Sequence, residues 1–269
     1  MNRLLLKFKF TEWQSTYQHF KIKRFYKEAK IERTFGVGML NQNHQWIIKL
    51  DGKIVQTHFQ NELILPTSQL AQSIADEFNS QKEFIQTTTM PLLILAKNAV
   101  GIETNQRIRQ FMEYSIINYL ERDTVLFREQ SQSQLYQIQQ NKLDPQLKLF
   151  NQQFGMHLQI NYGLEIKPLK QYDKIKIQNI LKKLNSWQLV SLDSQVENLK
   201  SCILALQIWN NHITIQQAVQ LSRIEEDYQI SQNQKIEKHH DDLDENTIIA
   251  KVNAAKLLIQ LIQIQSITY

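Results

Sequence analysis

The feature that most constrains the fold is a change of hydrophobic period at Pro66. Before it, between Phe25 and Leu65, apolar residues gather in short β-like runs. Trp46-Ile47-Ile48-Lys49-Leu50 and Lys53-Ile54-Val55-Gln56-Thr57 flank Asp51-Gly52. Asp-Gly between two such runs predicts a hairpin, because it tolerates the positive φ angles of a primed turn whose twist suits paired strands. After Pro66 the recurrence lengthens to a helical one. Thr67 is placed to cap a helix that carries Leu70, Ala71, Ile74, Ala75 and Phe78 on one face. Ile108, Phe111, Met112, Ile116, Tyr119 and Leu120 repeat the pattern, with Thr104 or Asn105 as the cap. Gly155, Gly163 and Pro168 punctuate a connection before a helix near residues 174 to 184, and the last hundred residues read as almost wholly helical. The expectation is an α+β chain: a small β-rich domain over residues 24–65, followed by a larger, mostly α-helical domain over residues 66–269.

The first 23 residues read differently from both. Residues 1–30 hold eight bases against Glu12 and Glu28, a balance of +6, so the total of +5 leaves about −1 for the remaining chain. Phe10, Trp13, Tyr17 and Phe20 would line one face of a helix there. A basic, acid-poor, amphipathic leader has the character of a mitochondrial presequence, which places the protein in the mitochondrial matrix, with inner-membrane association left open. The nearly neutral remainder lacks the continuous phosphate-neutralising surface on which nucleic-acid affinity depends, so no nucleic-acid partner is expected. The apolar run Leu92 to Val100 is interrupted by Lys97, so integral membrane insertion is not expected. The single cysteine, Cys202, excludes an internal disulfide framework and suits a reducing compartment.

Catalytic motifs are weak. Gly36-Val37-Gly38 lacks the third glycine of a dinucleotide loop, and no Walker loop is present. His239-His240-Asp241-Asp242 has ligand-type side chains, but neighbours on a helix point apart and cannot close on one ion. Cys202 lies in the apolar run Cys202-Ile203-Leu204-Ala205-Leu206, the usual setting of an inert buried thiol. Glu62, Asp76, Glu77, Glu113 and Asp123 are spaced as the polar side of amphipathic elements. No catalytic, cofactor-binding or metal-binding residue is assigned, no cofactor is expected, and the chain is read as a non-enzyme.

The most informative segment is Thr214 to Gln229, read as one amphipathic helix. Thr214 and Gln217 form a capping-box pair. Ile215, Ala218, Val219, Leu221, Ile224 and Tyr228 spread over an apolar arc, with Glu225 and Glu226 within or beside it. Arg223 reaches Glu226 at i+3 and Asp227 at i+4, so an internal ion pair accounts for these charges. The alternative is an acidic site kept for a basic residue of a partner.

Leu221-Ser222-Arg223-Ile224-Glu225-Glu226-Asp227-Tyr228-Gln229 resembles the Leu-Ser-Arg-Leu-Asp-Glu-Asp-Phe-Gln motif of the assembly chaperones of the alpha subunit of mitochondrial F-type ATP synthase. Arg24-Phe25-Tyr26-Lys27, Leu50-Asp51-Gly52-Lys53, Leu65-Pro66-Thr67, Ile74-Ala75-Asp76-Glu77-Phe78, Met90-Pro91-Leu92, Asp144-Pro145 and Phe154-Gly155 resemble further blocks of that family, in its order. Three blocks depart. Leu143 replaces a Trp, Trp-Gly is missing around Gln232 to Gln234, and Thr-Asp-Leu-Leu has become Arg122-Asp123-Thr124-Val125. The resemblance implies a small β-rich domain before a helical one. It also implies a chaperone that holds the free alpha subunit until beta replaces it, with Glu226, Glu225, Arg223 and Asp227 as partner-binding residues. The departures leave a second reading, a resident structural subunit of a mitochondrial membrane complex derived from this family.

Overall fold

The computed structural model describes residues 22–34, 45–57, 60–130, 133–163, 165–233 and 238–262, without the side chains of residues 233 and 238–244. The leader read as a presequence, apart from Ile22 and Lys23, and Gly36-Val37-Gly38 lie outside the described residues, as do the side chains of His239, His240, Asp241 and Asp242. The chain forms two compact units, Met1–Lys97 and Asn98–Tyr269.

In the first unit β1 (Ile22–Lys23) pairs antiparallel with a later strand, β5 (Phe84–Ile85). Strands β2 (Ala29–Thr34), β3 (Gln45–Leu50) and β4 (Lys53–Ile54) make an antiparallel sheet in which Ile31 faces Ile48 and Leu50 faces both Ala29 and Lys53. The Asp-Gly hairpin forms as its sequence requires, with φ of 46° at Asp51 and 90° at Gly52. The Asp51 carboxylate accepts hydrogen bonds from the backbone N–H groups of Lys27 (2.9 Å) and Glu28 (3.1 Å). These bonds favour its charged form and hold its pKa below the ordinary value.

Helix α1 (Ser68–Asn79) starts at Thr67, whose hydroxyl accepts from the Leu70 N–H at 3.2 Å. It packs on β2 and β3 and buries Leu70, Ala71, Ile74, Ala75 and Phe78. At its end Asn79 bonds both backbone groups of Ala29, accepting from N–H at 2.8 Å and donating to C=O at 3.0 Å. Helical texture therefore begins at Pro66 while the compact unit runs on to Lys97, because this first helix covers the sheet. Arg24 threads the same unit: it donates to the carbonyls of Tyr26 (3.0 Å), Lys27 (2.6 Å) and Gln81, and lies 4.8 Å from the Tyr26 ring centre.

Helix α2 (Pro91–Thr104) opens with proline at its first position, where no N–H is missed. Glu77 supplies the cap from α1, accepting from the N–H groups of Leu92 (2.8 Å) and Leu93 (2.9 Å). Burial nevertheless raises its pKa to about 7. Glu77 is thus a structural cap and not a member of a polar outer face, whereas Asp76 and Glu62 are exposed as their spacing predicted.

The second unit is helical apart from a short parallel pair, β6 (Phe127–Arg128) with β7 (Asn161–Tyr162). Its helices are α3 (Gln106–Glu121), α4 (Gln134–Phe154), α5 (Gln171–Lys183), α6 (Ser186–Leu199), α7 (Cys202–Trp209), α8 (Ile215–Ser222), α9 (Ile224–Asn233) and α10 (Lys238–Leu261). Asn105 caps α3 through the Arg107 N–H, and Gly155, at φ 57°, closes α4 in the left-handed conformation that glycine accepts without strain. Every residue from Cys202 to Ile208 is buried, with α3, α4, α6 and α8 packed around them. Helix α10 lies along α6, where the buried Ser191 hydroxyl donates to the Ala255 carbonyl at 2.7 Å. A small strand-built amino-terminal region followed by a mostly helical remainder is the α+β arrangement expected from the sequence.

The segment read as one helix from Thr214 is two. The break falls at Arg223, whose φ of −105° and ψ of 7° leave the helical region and end α8 before α9 begins. The buried guanidinium side chain and the Ser222 hydroxyl, which donates to the Val219 carbonyl at 2.8 Å, fix this joint.

Candidate functional site

The joint between α8 and α9 positions all four residues singled out in the sequence. Thr214 and Gln217 form the expected capping box, with side chain to backbone bonds of 3.1 Å and 2.8 Å, so the start of α8 is fixed. One helix later Arg223 turns inward and is only 5% exposed. Its guanidinium lies 3.3 Å from Glu226 and 3.4 Å from Asp227, and the side chains of those two acids are 54% and 53% exposed. The internal ion pair is therefore formed, with a buried cation held under two carboxylates that still face solvent. The Arg223 Nε has no hydrogen bond of normal length, so the charges are close but not saturated.

Glu225 stands apart from this cluster. It is exposed and accepts from the Gln229 side-chain amide at 3.3 Å. All three acids occupy the first turn of α9, where the helix dipole favours negative charge. Three acids on one base leave a net negative surface at the joint, a suitable seat for a basic group of a partner.

Other polar groups singled out by sequence serve the interior. Asp123, expected on an outer face, is completely buried. Its carboxylate accepts from the Ser201 hydroxyl (2.6 Å), the Ile203 N–H (2.9 Å) and the Val125 N–H (3.0 Å). It therefore caps both the short turn Thr124–Leu126 and, with Ser201, the start of α7. Burial pushes its pKa up to about 6 against the pull of those donors. Glu113 pairs with Arg109 at 2.8 Å, and that arginine also closes the end of α5 through the Leu181 and Leu184 carbonyls. Cys202 is buried, and both desolvation and the neighbouring Asp123 raise its pKa, so the thiolate is suppressed.

Sequence reasoning missed Arg128. It is 3% exposed and bonds the Val125 carbonyl at 2.8 Å and Asp144 at 2.6 Å. It missed Asp193 as well, a half-buried acid on α6 whose pKa is pushed up to about 7 by burial and by Glu197 one turn on. An i,i+4 acid pair was visible there, but not its burial. Among the described residues no three His, Cys, Asp or Glu side chains gather so as to hold a metal ion.

The fold is similar to that of Atp12 from Paracoccus denitrificans, with a TM-score of 0.73 over 89% of this chain and 98% of that one at 22% identity. It is equally similar to a protein of Agrobacterium tumefaciens described as a candidate chaperone, with a TM-score of 0.75 over 88% of this chain and 85% of that one at 23% identity. The architecture is shared with both of these proteins. In sequence, a protein named as mitochondrial atp12 of Schizosaccharomyces pombe is 23% identical across 82% of this chain and 79% of its own length. Residues 23–151 match the family described as ATP12 chaperone protein.

Proposed function

We propose that the protein is an assembly chaperone for the catalytic sector of the mitochondrial ATP synthase, binding the free alpha subunit and preventing its aggregation until beta replaces it. The observation that carries this reading is the ATP12 family match over residues 23–151, and the mitochondrial relative supports a place in the matrix with residues 1–23 as the import signal. An unpaired subunit of a hetero-oligomer exposes an apolar interface, and a temporary partner over that interface suppresses self-association by mass action. Such holding consumes no nucleotide and needs no catalytic residue. Light scattering of refolding alpha subunit tests it: a stoichiometric amount of this protein suppresses the scattering without ATP. Unchanged scattering with intact protein refutes it.

The acidic motif lies beyond the matched segment, so its role rests on its geometry. We assign Glu226 and Asp227 as partner contacts, with Arg223 as their internal anchor and Glu225 at the rim. Because Glu226 is more than half exposed and Asp227 still faces the buried guanidinium in its absence, the pair of Glu226 with Arg223 contributes at most about 1 kcal/mol to the fold. Reversing a charge that pairs across an interface costs about 2 to 5 kcal/mol of binding. Glu226→Lys is thus expected to weaken alpha-subunit affinity at least tenfold while the melting temperature moves little. A variant that melts normally and binds as tightly as the parent removes Glu226 from the interface.

A further inference from the structure

Positive charge is unevenly placed in the second unit. Residues 165–183 hold six lysines against Glu165 and Asp173, a balance of +4, although the chain beyond residue 30 carries about −1 in all. Asp173 is buried and accepts from the His157 N–H at 3.0 Å, so it offers little opposing charge at the surface. The same stretch and the strand before it hold four of the large apolar side chains left in solvent. Tyr162 is 42% exposed, Ile166 40%, Tyr172 52% and Ile175 46%.

These residues share a direction on α5. At 100° per residue, Asp173, Ile177 and Leu181 define its buried face, and Tyr172, Ile175, Lys182 and Lys183 fall on the opposite arc. Two lysines also sit against exposed rings: Lys176 is 4.7 Å from the centre of Tyr172, and Lys167 is 5.9 Å from that of Tyr162. The surface therefore interleaves ammonium groups with amphipathic rings and aliphatic chains.

We propose that the outward face of α5, with the connection that precedes it, docks on an anionic phospholipid surface. This goes beyond the chaperone reading and does not depend on it. Aromatic and aliphatic side chains beside lysines suit the headgroup level of a bilayer, where rings and methyl groups enter the acyl boundary and ammonium groups meet phosphates. The charges are all lysine, with no arginine between residues 162 and 183. Lys167 and Lys176 are tied to backbone carbonyls and Lys174 faces Glu121, which leaves Lys170, Lys182 and Lys183 as point charges that fit a layer of phosphates better than the bidentate geometry by which arginine reads a carboxylate on a folded partner. No helix among the described residues is long and apolar enough to cross a membrane, so attachment here is to the surface.

Flotation of the full chain with vesicles tests this. One set contains phosphatidylcholine and phosphatidylserine in equal amounts, a second phosphatidylcholine alone, and polyglutamate in solution serves as an acidic-chain competitor. The protein is expected to float with the anionic vesicles and to be released by salt. Lys170→Gln, Lys182→Gln and Lys183→Gln together lower the partition roughly ten- to a hundredfold. Ile166→Ser with Ile175→Ser lowers it about tenfold at unchanged charge. Both variants alter exposed side chains, and an unchanged melting temperature confirms the fold. Failure to float overturns the proposal, as does flotation untouched by either set of changes. Polyglutamate binding that survives the isoleucine changes, with no preference for anionic vesicles, reassigns the face to an acidic protein.

Discussion

Removing the carboxylate of Asp123 should be among the most damaging single changes in the second unit. The side chain is completely buried and accepts from Val125 N–H at 3.0 Å, Ile203 N–H at 2.9 Å and the Ser201 hydroxyl at 2.6 Å. In Asp123→Ala the two backbone donors have no replacement, and a buried unsatisfied donor costs about 1 to 3 kcal/mol. The hydroxyl can rotate, so it adds little, and the total is about 3 to 5 kcal/mol. For a unit of this size each kcal/mol lowers the melting temperature by about 2 to 4 °C, giving a fall of about 10 °C. Asp123→Asn keeps one oxygen and turns an amide against the other donors, so it should lie between parent and alanine variant. Ser201→Ala combined with Asp123→Ala should cost less than the two alone, because they share one bond. Thermal and urea unfolding followed by circular dichroism measure all three. An alanine variant melting within about 2 °C of the parent, or an asparagine variant worse than alanine, refutes the capping argument.

Arg128 is 3% exposed while the Asp144 side chain is 37% exposed, so Asp144→Ala, which strands a buried cation, should destabilise more than Arg128→Met, after which Asp144 can rehydrate. Equal melting temperatures for the two variants would contradict that asymmetry. Glu77, Asp123 and Asp193 have folded-state pKa values of about 7, 6 and 7, above their ordinary values, so the folded chain holds protons that the unfolded chain has released. Their stabilising contribution is complete below about pH 4 and is lost as pH rises through 6 to 7. Asp193→Asn should accordingly flatten the fall in melting temperature between about pH 4 and 7. An unaltered slope counts against the burial of that group. Lys200 ends α6 in the left-handed region at φ 54°, so Lys200→Gly should raise stability by about 0.5 to 1 kcal/mol, read from the urea midpoint at constant m. A lower midpoint would show that the lysine side chain outweighs the strain.

The parts of the fold that follow from local chemistry were legible. Asp51-Gly52 dictates its turn wherever it lies between two strand-forming runs, and Thr67 and Thr214 announce helix starts through bonds three residues away. Contacts across large separations were not. Asp123 looked like any polar residue after an amphipathic helix, because its donors lie at Ser201 and Ile203, 78 and 80 residues away. In the block Arg122-Asp123-Thr124-Val125 the carboxylate is the part that two helical starts need. Leu143, in the block before Asp144-Pro145, is buried in α4. At the candidate site the spacing of Arg223, Glu226 and Asp227 foretold the ion pair, since i+3 and i+4 neighbours meet on any helix. The break at Arg223 was hidden, because the apolar arc continues through it from Leu221 to Ile224. Arg128 was missed because an isolated arginine gives no sign of burial, and its partner Asp144 belonged to a motif read only for resemblance.

Helix α7 has no face of its own to give to water. Each of its residues from Cys202 to Ile208 is enclosed by helices drawn from both earlier and later sequence. During folding this run must therefore wait for partners that arrive from both directions, and closure over such separations is slow compared with local helix formation. Until then it is a sticky seven-residue segment in a chain expected to enter its compartment unfolded. In the proposed role of shielding the adhesive surface of another subunit, the chain carries the same hazard in its own kinetics, and the capped start at Ser201 fixes where that helix begins.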